Sequence, residues 1–139
     1  MTSTYRVLSD AHLVLFRPGG CLDVEGLRRV LQPLRYETPG APRWDRFVDF
    51  TDVEEFDLDY RRLMSLSASL AQEGIRQGGE GPFFRVAMLC RQPYAFGLAR
   101  MIASILDRNG IEARPFRDMD SLRSWLGLPP DALTIPGSH

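Results

Sequence analysis

Eight residues, Phe83 to Cys90 ("FFRVAMLC"), constrain the fold of this chain more than any other stretch. Arg85 alone interrupts an otherwise apolar run. A run with no polar face fits a strand covered on both sides, and such strands belong to parallel sheets. Parallel neighbours cannot be joined by a tight turn; they need a crossover, usually a helix. The next residues supply one. Apolar spacing predicts a helix from Tyr94 to Arg108, and Asn109-Gly110 is a natural stop. "EARPFR", Glu112 to Arg117, reads as a further strand, which Pro115 confines to a sheet edge.

The rest of the chain repeats the alternation. Tyr5–Ser9 and His12–Arg17 read as a hairpin or near-hairpin, ended by "RPGG". Asp23 is a good N-cap for a helix over Val24–Tyr36, whose Leu27, Val30, Leu31 and Leu34 fall on one face. Gly26 and Pro33 weaken that helix. Glu37–Trp44 is a loop, and Arg46–Thr51 a strand, followed by "DVEEFD" as a polar connector. Asp57 is the expected cap of the next helix, with Tyr60 or Leu63, Leu66, Leu70 and Ala71 inward, running to about Gln72–Gln77. Gly78–Pro82 is a connector. "DMDSLRSWLGLPP" is a short final helix with an aspartate cap, Leu122, Trp125 and Leu126 inward, and Gly127 at its stop. The expected fold is an α/β domain over residues 1–128: about five mostly parallel strands with an antiparallel or mixed edge, flanked by four helices, and a tail over 129–139.

Composition removes several chemistries. All 17 basic residues are arginine. Without lysine there is no P-loop, no Schiff base, and no cation for a receiver-type phospho-acceptor site. A net charge of −1 gives nucleic acid no electrostatic footing. No apolar run approaches the roughly 18 residues of a membrane span, and no secretory leader is visible. The expected compartment is the cytoplasm. Cys21 and Cys90 lack metal-type spacing; both are expected reduced, with Cys90 a buried small hydrophobe. The histidines, His12 and His139, pair with no nucleophile motif, so the chain is expected not to be an enzyme and to hold neither cofactor nor metal.

Two stretches remain as candidate sites. "DFTDVEEFDLD", Asp49 to Asp59, is densely acidic and follows a strand end, where α/β sheets place ligands. It suits a magnesium or phosphoryl site, but a solvated loop with a helix cap explains the same residues more simply. The second is the helix "YAFGLARMIASILDR". Gly97 lies inside it at about 1 kcal/mol less favourable than alanine. Small neighbours Ala99 and Ala103 then suggest that Gly97 allows close packing, so that Gly97→Leu should clash. Its broad apolar surface suits core first and a partner face second.

Three segments carry a resemblance: "DFTDVEEFD", "YAFGLARM" and "PFRDMDSLRSWLG". From about Tyr5 to Leu128 the chain resembles the SpoIIAA-like (STAS-like) family, small bacterial domains related to anti-sigma-factor antagonists, in a branch of unknown function. The resemblance implies a regulatory domain that acts by protein–protein interaction. In antagonists a partner kinase phosphorylates a serine after an aspartate at the strand–helix corner. Aligning Asp57 with that aspartate puts Leu58, which cannot be phosphorylated, at the serine's place; Thr51 is nearby but at a different position. The implied partner surface is Thr51, Asp52, Asp57, Leu58, Asp59 and Tyr60. A possible ligand or interface helix presents Tyr94, Phe96, Gly97, Arg100 and Met101. The occupant is expected to be a protein partner or a second copy of the chain. A small apolar ligand or lipid ranks next, and a metal- or phosphate-dependent enzyme at the acidic corner last.

Overall fold

The computed structural model describes residues 4–8, 13–31, 45–76 and 84–130. In chain order these form β1 (Thr4–Leu8), β2 (Leu13–Arg17), β3 (Gly20–Asp23), α1 (Val24–Leu31), β4 (Asp45–Asp49), β5 (Val53–Asp57), α2 (Tyr60–Arg76), β6 (Val86–Leu89), α3 (Pro93–Arg108), β7 (Ala113–Phe116) and α4 (Met119–Leu126). The main sheet has the order β1-β2-β4-β6-β7. β1 pairs antiparallel with β2; every other pairing in it is parallel. This is the expected α/β architecture with one antiparallel edge.

The strand order from β2 to β7 never reverses, so each crossover steps the same way. Right-handed crossovers stepping one way put their helices on one face. The two core clusters agree. α1, α2 and α3 bury Leu27, Leu31, Leu66, Leu70, Ala99 and Ile102 against Val14, Phe16, Val48, Val86 and Met88. α4 buries Leu122 and Leu126 against Leu13, Phe47, Ala87 and Leu89 on the opposite face. Successive residues of β6 serve opposite cores, as a period of two requires. That explains why "VAML" is apolar throughout.

Arg85 and Arg46 show two ways of holding a cation here. Arg85 joins β6 to α4: its Nη2 donates to Asp45 Oδ2 at 2.7 Å and its Nη1 to the Trp125 carbonyl at 2.8 Å. Its guanidinium also lies 4.9 Å from the Trp125 ring centre. Arg46 is 1 % exposed, with its guanidinium 4.6 Å from the Phe84 ring centre. Burial pulls its pKa down to about 10, so it stays charged at neutral pH.

Several expectations need correction. "RPGG" ends β2, but its last glycine opens a new strand, β3. "DVEEFD" is not a loop: Val53–Asp57 pairs in parallel with β3 as a separate two-stranded sheet. Asp57 closes β5 and does not cap α2. Asp59 does, accepting from the backbone N–H of Arg61 at 2.8 Å and of Arg62 at 3.2 Å. Of the inner stripe proposed for α2, Leu63, Leu66 and Leu70 are buried, whereas Tyr60 is 49 % exposed. The expected close packing at Gly97 is also wrong. A Cβ there would meet nothing within 4 Å, because the glycine faces outward; the tight glycine is Gly26, whose Cβ would lie 3.1 Å from Leu22 Cδ1. Ala99 and Ala103 do pack inward. α1 is described to Leu31 and the C-terminus to Pro130; the rest of the expected helix to Tyr36, the expected loop Glu37–Trp44, the Gly78–Pro82 connector, His12, and the tail beyond residue 130 lie outside the described residues.

Candidate functional site

In many α/β domains the ligand crevice opens where the strand order reverses. This sheet has no reversal. A groove nevertheless forms at the carboxyl end of β4, because the chain makes an excursion there before crossing over. After Asp49 it turns at Thr51-Asp52, runs out as β5 and enters α2 at Tyr60. The turn is tightly tied. Val53 N–H donates to the Phe50 carbonyl at 3.1 Å, and Gly20 N–H to the Asp52 carbonyl at 3.2 Å. Thr51 donates to Asp49 Oδ1 through its backbone N–H at 2.9 Å and through its hydroxyl. Arg17 Nε reaches Asp52 Oδ2 at 2.8 Å. The result is an open groove of about 650 Å³ lined by Gly19, Gly20, Thr51, Asp52, Val53, Glu54 and Gln92.

β3 and β5 build the wall beyond the turn. Leu22 pairs with Phe56, and both face the core; Cys21 pairs with Glu55, and Asp23 with Asp57, all four exposed. A bulge between Gly20 and Cys21 leaves Glu54 without a cross-strand partner. A bulge re-aims the side chain it carries, and Glu54 lines the groove. Cys21 stands among these carboxylates. Its thiol pKa is raised, first by partial desolvation and then by Glu55, Asp57 and Asp23. Cys90 is buried at the end of β6, where desolvation, aided by Asp49, pushes its thiol up to about 12.

The structure brings the two candidate stretches together at one point. Phe50, Phe56 and Tyr94 form a ladder of edge-on rings, with centroids 5.6 Å and then 6.2 Å apart. It runs from the buried Phe50 to Tyr94, which is 69 % exposed. Tyr94 therefore sits on the same surface as the corner. The other helix candidates divide. Phe96 and Met101 are partly buried against the core, with the Arg117 guanidinium 4.5 Å from the Phe96 ring centre. Gly97 and Arg100 are exposed, and the Arg100 side chain makes no hydrogen bond or ion pair among the described residues. At the corner, Thr51, Asp52, Asp57, Asp59 and Tyr60 are exposed, and Arg108 Nη1 donates to the Tyr60 hydroxyl at 3.0 Å. Leu58 is half-buried on the core at N′ of α2, with the buried Leu63 at N4; these are the hydrophobic-staple positions. Its side chain is structural.

Catalytic geometry is weak here. The Thr51 hydroxyl is engaged by Asp49, and a phosphate on it would face Asp52 and Glu54 across the groove. Among the described residues no group of three or more His, Cys, Asp or Glu side chains has the arrangement to hold a metal ion. Nor is any described helix long and apolar enough to cross a membrane. No family model matches the chain, and no curated protein matches it.

Sequence reading missed Cys21, Asp23 and Gln92 as members of this surface; Glu54 and Glu55 fall within the acidic stretch it marked. The available signal was the shared pattern of "CLD" and "EFD", each with one apolar residue between two polar ones. Three residues are too few for a period of two to stand out.

Proposed function

We propose that this chain is a non-enzymatic STAS-like regulatory domain that acts by docking a protein partner on the corner from Thr51 to Tyr60 together with Tyr94. The observation that carries this is the aromatic ladder. An exposed tyrosine backed by Phe56 and Phe50, and rimmed by polar groups, has the make-up of an interface anchor. A buried backing fixes the ring, so little side-chain entropy is lost on docking. An apolar small ligand is the weaker reading, because among the described residues Val53 is the only hydrophobic side chain lining the groove.

The test is site-specific photocrosslinking in native lysate. A benzophenone amino acid replaces Tyr94, and in a control Asp120, which is 93 % exposed on α4. The expected result is an adduct of defined mass from position 94 that position 120 does not give. No adduct at 94, or the same adducts at both positions, would refute the docking reading.

A further inference from the structure

The two-stranded sheet β3–β5 carries three features that a purely structural element would avoid. It is parallel, and parallel sheets are normally covered on both faces; here Leu22 and Phe56 cover one face, while Cys21, Asp23, Glu55 and Asp57 leave the other bare. Asp23 and Asp57 stand directly opposite one another, and like charges so placed are destabilising. Glu54, Glu55 and Asp57 form no ion pair with any described residue, in a chain that has 17 arginines. The main sheet shows the contrast, since its Asp45 is held by Arg85.

We infer that this bare acidic face is where the partner docks, and that the partner presents an extended, arginine- or lysine-rich segment. The inference rests on the docking reading above and adds the partner's chemistry. Charge complementarity fixes the occupant. Cations on alternate residues of an extended chain repeat at about 6.6 Å, twice the rise per residue. Glu55 and Asp57, on alternate residues of β5, repeat at the same spacing, with Asp23 of β3 beside Asp57, so cations and carboxylates can stay in register. No strand other than β3 and β5 pairs with this sheet among the described residues.

The test uses the full chain and a fluorescein-labelled peptide alternating arginine and serine, read by anisotropy. Saturable one-to-one binding is expected, weakened by salt as screening requires. The variant D23N/E55Q/D57N should bind about tenfold more weakly, the sum expected from three exposed charge pairs. A charge-matched control, D107N/E112Q/D120N, should bind like the wild type. Circular dichroism checks that both variants fold; the first removes a like-charge pair, and asparagine at position 23 can still accept from the Gly26 N–H that Asp23 caps at 2.8 Å, so it should fold as well as the parent. Equal binding by the two variants, or no binding by the wild type, overturns the inference. If the Tyr94 crosslink still forms in that case, the docking reading stands and only the cationic partner falls. Sedimentation that shows a dimer of the wild type, lost in D23N/E55Q/D57N, would make the occupant a second copy and would likewise overturn it.

Discussion

Gly97 offers a sharp test of the packing, because sequence and structure give it opposite signs. Read from sequence, a glycine inside a helix flanked by small residues implies a close contact that a larger side chain would break. In the fold, Gly97 is in the second turn of the 16-residue helix α3, exposed, with no heavy atom within 4 Å of where a Cβ would lie. Its φ is not positive, since only Gly20, Gly110 and Gly127 are so among the described residues. Nothing then opposes the gain in helix propensity from Gly97→Ala, about 0.8–1 kcal/mol, nor the accompanying loss of freedom in the unfolded chain. For a domain of this size that corresponds to a rise in Tm of roughly 3 °C. Gly97→Leu should be nearly as favourable, since its side chain extends into solvent. Thermal melts by circular dichroism and urea titrations read both variants, the latter with an unchanged m-value. A fall in stability for Gly97→Ala, or a large fall for Gly97→Leu, would refute the placement of α3. A stabilised Gly97→Leu that loses the Tyr94 crosslink would show instead that the glycine clears a path for the partner.

Four further outcomes follow from the same geometry. Arg85→Ala should lose about 2–3 kcal/mol: roughly 1 for a one-third-exposed ion pair, and the rest for the Trp125 carbonyl bond and the ring contact; a Tm within 2 °C of wild type, by the same melts, would contradict it (about 2 °C is well below one such interaction). Asp57→Asn should raise stability by about 0.3–0.5 kcal/mol by relieving the Asp23 pairing, and a urea midpoint below the parent's would count against that pairing. With a thiol-specific chromogen, Cys21 should react in the native state and Cys90 only after unfolding; Glu55→Gln should speed the Cys21 reaction near pH 8 by removing one of the charges that raise its pKa, and an unchanged rate would exclude that field. Asp118, which caps α4 through Ser121, has a depressed pKa, so its contribution to stability is complete above its ordinary value of 3.8 and fades as pH falls through the lower folded value; the Tm gap between wild type and Asp118→Ala should therefore close in strong acid, and a gap independent of pH would refute the cap.

The legible parts of the fold were those set by long, strong patterns. "FFRVAMLC" placed β6 inside the sheet, Pro115 placed β7 at its edge, and the Asp118 and Gly127 caps bounded α4, as its N–H bond and its φ of 75° show. The β3–β5 sheet was not legible. Its strands have four and five residues, and their acidic outer positions imitate a loop. Asp57 passed for a helix cap because Asp57 and Asp59 are both followed by helix-forming residues. Only the tertiary pairing of Asp57 with Asp23 commits it to a strand. Tyr94 and the acidic corner were singled out separately; Phe56, whose ring bridges them, lies in a stretch that reads as polar.

The central claim, a docking surface made of the β3–β5 face and Tyr94, is tested most directly by backbone NMR of the ¹⁵N-labelled chain titrated with the arginine–serine peptide. Shifts should concentrate at Cys21–Asp23, Glu54–Asp57 and Tyr94 and saturate together, and D23N/E55Q/D57N should need about tenfold more peptide to reach the same shifts. Shifts centred instead on β7 and α4, or spread evenly over the exposed carboxylates, would contradict it.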